Sequence, residues 1–375
     1  MPEWKSTRLG DICTTNNDSY SSKDDWKIVN YLDTGSVTEN KITELQYIDI
    51  ETDKLPSRAR RKVRKDNILY STVRPNQLHY GIIKALVDNL LVSTGFTVID
   101  VDTNKAIPEF IYYTLTQKNT TEQLQAIAEQ SVSTYPSIKA TDIEDLKLKL
   151  PNLAIQKKIV AILDTIDSKI RQNEKINNNL MEQITAKYQN MFGKYDNDMS
   201  VYSTLGTIAK FKYGTMPQKN KLGTGSHVAF SGYQVVGLYP EVMYSEPQLI
   251  IVARGVGGCG DIKYTPKDCY LTNLAIAIIT TCVEYDDYLY NYLRLHDTKV
   301  MNTGSAQPQI TISTLEKYKI PIPSDEELSE FSDFVKPFKE LYRANVTMNK
   351  QLTALRDDLQ PQLLSGELDV SDIDI

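Results

Sequence analysis

The sequence repeats itself, and this repeat constrains the fold more than any other feature. Five pairs of segments match in the same order along the chain, at an offset that falls steadily from the first pair to the last. Chance similarities would not keep chain order, so we interpret the chain as two copies of one unit. The pairs are Ser6–Ile12 with Tyr202–Ile208, Asn67–Arg74 with Pro247–Arg254, Gly81–Lys84 with Gly260–Lys263, Glu109–Leu115 with Asp287–Leu293, and Pro136–Ile138 with Pro308–Ile310.

Apolar residues spaced three and four apart follow Pro151 and, again, Pro323. This spacing predicts two helices of about 36 residues and about 54 Å, each with a narrow stripe suited to a coiled-coil seam. Pro337 predicts a kink or a first turn in the second helix. The seam expected on the second helix is Phe334, Phe338, Leu341, Asn345, Met348, Leu352, Leu355 and Leu359, and on the first it includes Ile176 and Leu180.

One seam position in each helix is polar, Asn173 and Asn345, and their separation equals that between Pro151 and Pro323. Equivalent positions of two repeats meet near the centre if the helices run antiparallel. We therefore expect Asn173 and Asn345 to face each other and to set the register, a known use of a buried asparagine. The alternative is that both side chains are solvated.

Together these patterns predict a mixed α/β (α+β) fold. Runs of β-branched residues bounded by turns predict strands, as at 90–100 and 247–254. We expect two tandem domains, related by internal duplication and separated by two long antiparallel coiled-coil helices. The expected boundaries are 1–151 for the first domain, 152–194 for the central helix, 195–323 for the second domain, and 324–375 for the C-terminal helix and tail.

Composition excludes several classes of protein. The balance of 42 Lys and Arg against 48 Asp and Glu argues against an indiscriminate polycation, but it leaves room for local basic patches. Four cysteines without a CxxC pair and three distant histidines make a metal site improbable. The chain shows no signal-peptide pattern and no membrane-spanning apolar run, so we expect a cytoplasmic protein without a membrane partner.

The sequence shows no recognisable catalytic motif. Gly255–Gly260 matches GxGxxG, but 261–266 reads as strand and turn, whereas a dinucleotide site needs a helix there. A flexible loop is the better interpretation. A phosphate-binding GxxxxGK[ST] motif and a methyltransferase [ND]PP[YF] motif are both absent. An enzyme with degenerate catalytic units remains an alternative, but duplicated modules without a recognisable catalytic motif favour a protein that recognises another molecule without transforming it.

Two helix motifs connect the chain to a known family. Ile155–Asp167 and Leu355–Leu368 resemble the conserved spacer segments of the specificity subunits of type I restriction–modification enzymes. The strand-to-arginine segments Leu69–Arg74 and Leu249–Arg254, and the loop Gly304–Ile310, also resemble that family. One segment departs from it, because Glu327–Phe331 replaces the usual Gln-centred pattern.

This resemblance implies a non-catalytic subunit that recognises a bipartite double-stranded DNA target. Half-sites read from one face of the duplex would lie roughly 10 base pairs apart. The implied protein partners are two modification (methyltransferase) subunits and the restriction, or motor, subunits. S-adenosylmethionine, ATP and Mg²⁺ would bind to those partners and not to this chain. The main alternative is a coiled-coil scaffold or assembly protein that does not read DNA.

Arg74 and Arg254 are the first candidates for DNA contact, because each follows a strand at the same repeat position. Such an arginine can donate to guanine or to phosphate. The alternative is a structural arginine paired with a carboxylate. The loops Ser131–Lys139 and Thr303–Thr311 offer further polar side chains, although their prolines also suit architectural turns. The other candidates from these loops and strands are Asn76, Gln77, Lys84, Ser133, Tyr135, Lys139, Lys263, Gln307 and Gln309.

The densest positive segment of the chain holds six basic residues in eight. We expect it to contact phosphates, and the alternative is an ordinary solvated face. Its members are Arg58, Arg60, Arg61, Lys62, Arg64 and Lys65.

Overall fold

A computed structural model describes residues 4–21, 23–131, 135–197, 201–255, 258–303 and 308–373. The chain divides into two compact units. The first unit combines Met1–Gln172 with Met348–Ile375, and the second is Asn173–Thr347. Each unit therefore contains a globular part and one segment from each of the two long helices.

The first unit is built on two sheets. Its strands are β1 Lys5–Arg8, β2 Cys13–Thr15, β3 Ile28–Leu32, β4 Val37–Thr38, β5 Lys41–Ile42, β6 Gln46–Asp49, β7 Ala59–Lys62, β8 Ile68–Ser71, β9 Tyr80–Ile82, β10 Leu90–Ser93, β11 Phe96–Val101 and β12 Lys147–Leu150. One sheet has the order β2–β11–β8–β9 and is antiparallel throughout; the other has the order β6–β3–β10–β7, with β10 parallel to β3. Strand β8 reads Ile-Leu-Tyr-Ser and is buried at every position, as expected for a strand paired on both sides.

The helices of the first unit follow these sheets, and β12 returns to pair with β1 before the long helix starts. Helix α1 begins with a proline at a position where no hydrogen-bonded N–H is needed. The helices are α1 Pro108–Leu115, α2 Lys118–Glu129, α3 Ala140–Glu144 and the first part of α4 Leu153–Phe192.

The second unit repeats this topology. Its elements are β13 Tyr202–Thr204, β14 Ala209–Tyr213, β15 His227–Phe230, β16 Val235–Tyr239, β17 Leu249–Val252, β18 Ile262–Tyr264, β19 Cys269–Leu271, β20 Ala275–Thr280, β21 Lys319–Pro321, α5 Val283–Leu295, α6 Ile312–Lys317 and α7 Asp325–Ser365. The sheet β14–β20–β17–β18 matches β2–β11–β8–β9, and the pair β13–β21 matches β1–β12. The other sheet has the order β16–β15–β19, with β19 parallel to β15. The predicted duplication is confirmed.

The ends of the long helices belong to the hydrophobic cores. Ile159 and Leu163 of α4, with Leu363 of α7, pack in the core of the first unit. Phe192 of α4 and Phe331 of α7 pack in the core of the second, with ring centroids 5.3 Å apart. No helix in the described ranges combines the length and hydropathy needed to cross a membrane.

The two long helices are confirmed, but part of the expected seam is wrong. Ile176, Leu341, Met348 and Leu355 are 40–47% exposed. The apolar stripe is wider than the contact with one antiparallel helix, so a row of it stays outside the seam. Helix α7 begins at Asp325 and continues through Pro337, so that proline does not mark a first turn.

Candidate nucleic-acid interface

In the first unit, the turn after β8 holds Arg74 against the proline-containing loop. Arg74 has a φ of +47°, a left-handed conformation that is rare for a residue with a side chain. Its N–H donates to the Pro136 carbonyl at 2.9 Å, and Val73 forms an antiparallel bridge with Ser137. The Arg74 guanidinium lies over the Tyr135 ring, with its Cζ 5.0 Å from the ring centroid. The fold thus brings two of the predicted segments together.

The second unit builds the same junction after β17. Arg254 forms an antiparallel bridge with Gln309, and the Ile310 N–H donates to the Ala253 carbonyl at 2.9 Å. The Arg254 Cζ lies 5.9 Å from the centroid of Tyr213, and the Tyr233 hydroxyl donates to the Arg254 carbonyl at 2.6 Å. The aromatic partner of the arginine therefore comes from β14 here and from the loop in the first unit.

The two arginines have similar electrostatic surroundings. Among the described residues, neither guanidinium lies within ion-pair distance of a carboxylate, and Arg254 is exposed while Arg74 is half-buried. A guanidinium held over a ring with its donors unused can bind a phosphate or a guanine edge. Of the remaining loop candidates, Ser133 and Gln307 lie outside the described residues.

The glycine-rich segment after Arg254 has a conformational explanation. Gly255 has a φ of +118°, and a side chain there would collide with Tyr233. Strand β18 follows the glycines, as expected, so no helix begins where a dinucleotide motif requires one.

Three side chains of the basic segment are buried or ion-paired: Arg61, Lys62 and Arg64. Arg61 is half-buried; its Nη2 donates to the Thr94 carbonyl at 3.3 Å, and burial lowers its pKa. Lys62 contacts the Asp24 carboxylate and lowers the pKa of that group. Asp18 lies 3.8 Å from Lys62 and 3.7 Å from Arg64.

The other three basic residues of this segment are exposed and form no ion pair within the described ranges. They are Arg58, Arg60 and Lys65. The contacts of Lys62 and Arg64 with Asp18 and Asp24, which the sequence did not reveal, decide which cations are available.

The remaining candidates differ in their ion pairing and in their exposure. Lys84 contacts Asp66 and Glu109, and Lys263 lies 3.5 Å from Asp261 and 5.8 Å from the Tyr233 centroid. The two lysines are therefore largely neutralised within their units. Asn76, Gln77 and Lys139 are exposed, and Gln309 is half-buried in its bridge.

The polar centre of the long helices holds three asparagines rather than two. Asn345 Nδ2 donates to Asn177 Oδ1 at 2.9 Å, and both residues are buried, as is Asn173. Sequence reasoning missed Asn177. It also missed Tyr213 and Tyr233, for which the abundance of tyrosine was the sole signal.

Similarity to known proteins extends over both units. The family profile described as type I restriction modification DNA specificity domain matches residues 1–182 and 198–354. The chain belongs to this type I restriction–modification DNA specificity family. It is a specificity subunit, and members of this class are non-catalytic because catalysis lies on other subunits.

Relatives of this specificity subunit span most of its length. The HindI specificity subunit of Haemophilus influenzae is 26% identical, over 98% of this chain and 100% of the relative. The MjaIX specificity subunit of Methanocaldococcus jannaschii is 24% identical, over 78% and 76%. The crystal structure of the type I restriction–modification S subunit from M. genitalium is similar in fold, with a TM-score of 0.60, 17% identity and coverage of 99% and 97%.

The departure of this specificity subunit from the Gln-centred family pattern has a structural reason. In the first unit, Gln156 is fully buried; its Oε1 accepts the Ile107 N–H and its Nε2 donates to the Pro151 carbonyl, both at 2.8 Å. Leu328, at the equivalent position of the second repeat, is buried in the core instead. Glu327 next to it caps α7, accepting from the Ser324 N–H at 3.1 Å.

Proposed function

We propose that this subunit reads a bipartite DNA target, with one half recognised by the turn after β8 and the other by the turn after β17. One observation carries the proposal: Arg74 and Arg254 occupy equivalent positions, each held against a proline-containing loop, Arg74 by a backbone hydrogen bond and Arg254 by a β-bridge, and neither is ion-paired among the described residues. Arginine is the side chain that most often distinguishes guanine in the major groove. The free cations Arg58 and Arg60 would add phosphate contacts.

A selection from random-sequence duplex DNA, in the presence of the modification subunits, tests this function. We expect one enriched motif of two defined parts around a gap. Arg74→Ala should degrade the preference in one part and Arg254→Ala in the other. Arg171→Ala, which removes a 55% exposed arginine on α4, is the matched control and should leave both parts unchanged. A scaffold without DNA readout would enrich no motif.

We further propose that the long helices dock two modification subunits, one for each unit. Ile176 and Met348 stand at equivalent repeat positions, with the same separation as Asn173 and Asn345, and are 42% and 40% exposed. Each unit therefore presents an apolar side chain at the same place on its helix pair, and exposed apolar residues near a helix seam are suited to a further helix. Ile176→Asp and Met348→Asp should each remove one modification subunit from the assembly, as measured by native mass spectrometry.

The domain boundaries and the cellular location remain parts of this proposal. We retain globular domains at 1–151 and 195–323, with helices at 152–194 and 324–375. We propose a cytoplasmic location, because the subunit would bind DNA and its partner subunits there. Restriction subunits would join through the modification subunits, and the cofactors would remain on those partners.

A further inference from the structure

The first unit contains a cavity of about 650 Å³ to which the proposed DNA readout assigns no ligand. It lies between the α1–α2 turn, the turn before β9, and the segments of α4 and α7 that belong to this unit. Its walls carry three tyrosine rings, from Tyr80, Tyr112 and Tyr113, and four carboxylates. The Tyr113 hydroxyl donates to Asp167 at 2.9 Å. A cavity of this volume is in the range of small-molecule sites.

The cavity wall is acidic. Glu39, Glu122, Asp167 and Asp357 line it, against the two cations Lys118 and Arg356, which leaves a net charge of −2. Arg356 lies 3.1 Å from Asp167 and 2.8 Å from Asp357, and Lys118 lies 3.9 Å from Glu122.

Glu39 is the lining carboxylate without an ion pair in the described ranges. Burial raises the pKa of Tyr80, and the Glu39 charge raises it further. The negative charge of Glu39 therefore acts on the side of the cavity where Tyr80 lies, and it would stabilise a cation bound there.

The lining also offers aromatic faces. The Tyr80 and Tyr112 rings lie 6.3 Å apart at 77°, so they present two faces nearly at right angles. Thr121 also lines the cavity, but its buried hydroxyl lies against the Tyr70 hydroxyl, so the two groups are partners for each other. The tyrosine rings and the carboxylates are therefore the groups that a ligand would contact.

The second unit carries a cation of its own at the equivalent place. The residue equivalent to Asp167, at the same repeat offset that relates Asn173 to Asn345, is Lys339. Its ammonium contacts the buried Asp287 carboxylate and lies 4.9 Å from the centroid of the Tyr264 ring. The second unit thus carries its own alkylammonium on a tyrosine face next to a carboxylate, whereas the first unit has an open cavity with an acid at that position.

We propose that the cavity of the first unit binds a linear aliphatic polyamine, with its ammonium groups at the carboxylates and its methylene chain on the tyrosine faces. Cation–π contact and charge favour the ammonium groups, and the tyrosine rings favour the alkyl spacers. Because Asn76 also lines the cavity, the ligand would contact the turn that carries Arg74.

Titration of the purified full-length chain with spermidine, followed by calorimetry without DNA, tests the site. We expect one saturable site per chain, since Lys339 fills the equivalent place in the second unit. Glu39→Gln and Asp357→Asn change exposed side chains and should each weaken binding about fivefold, the worth of one exposed charge contact. Glu44→Gln makes the same charge change at an exposed position outside the cavity and should leave the affinity unchanged.

Three results would overturn the proposal. One is the absence of saturable binding. A second is equal weakening by Glu39→Gln and Glu44→Gln, which would indicate a diffuse charge effect. MgCl₂ and NaCl at matched ionic strength should displace spermidine equally; stronger displacement by Mg²⁺ would also contradict a site built for an organic cation. DNA binding plays no part in this assay, so its outcome is independent of the proposed DNA readout.

Discussion

Asn345 donates a hydrogen bond from Nδ2 to Asn177 Oδ1 at 2.9 Å, inside the seam between the long helices. Asn345→Leu removes one partner and leaves the Asn177 amide buried and unsatisfied. We expect a loss of about 1–3 kcal/mol in the free energy of unfolding, measured by chemical denaturation. The double variant Asn177→Leu/Asn345→Leu should recover much of that loss, because it removes both members of the hydrogen-bonded pair.

A double-mutant cycle measures the strength of this contact. The coupling energy between positions 345 and 177 should be favourable, at about 1 kcal/mol, because the two side chains form a buried hydrogen bond. A coupling energy near zero would contradict that bond.

Tyr135, the aromatic partner of Arg74, should affect DNA binding through its contact with that arginine. Tyr135 is 56% exposed, so Tyr135→Leu should fold normally. We expect the affinity for the selected DNA target to fall about two- to fivefold, the value of an exposed cation–π contact. Tyr135→Phe keeps the ring and should retain the affinity, as measured by gel shift. Equal losses in the two variants would assign the effect to the hydroxyl instead.

The basic segment should show two kinds of behaviour in salt titrations. Arg58→Ala, Arg60→Ala and Lys65→Ala should each reduce the slope of log K against log salt concentration by about 1, for any DNA sequence, if each contacts a phosphate. Lys62→Ala should lower the melting temperature, because the Asp24 carboxylate loses its cation. A reduced slope with unchanged melting temperature in Lys62→Ala would contradict this division.

The stability of the second unit should depend on pH through Glu327. Burial would raise the pKa of this group, but hydrogen bonds from Lys194, Tyr195 and Ser324 lower it to about 2. A depressed pKa stabilises the folded state above the unfolded value of about 4.5 and loses that effect as pH falls towards 2. We expect the melting temperature to fall across this window, and to fall less in Glu327→Gln. An identical pH profile in the variant would exclude this source.

The sequence alone predicted the repeat, the long helices and the position of Arg74 and Arg254, because these features depend on local spacing and on similarity between two parts of one chain. The exposure of Met348 and Leu355 was not predictable, because apolar periodicity shows which face of a helix is apolar but not how much of that face its partner covers.

Pairing across long separations was decided by the tertiary structure. Strand β7 places Lys62 against Asp24 and leaves Arg60 exposed, and the junctions seat Arg74 on Tyr135 but Arg254 on Tyr213. The amino-acid order therefore determined which elements form and which family the chain resembles. Which charges stay free and which rings hold them depended on contacts between residues far apart in the chain, and those contacts exist only once the sheets have packed.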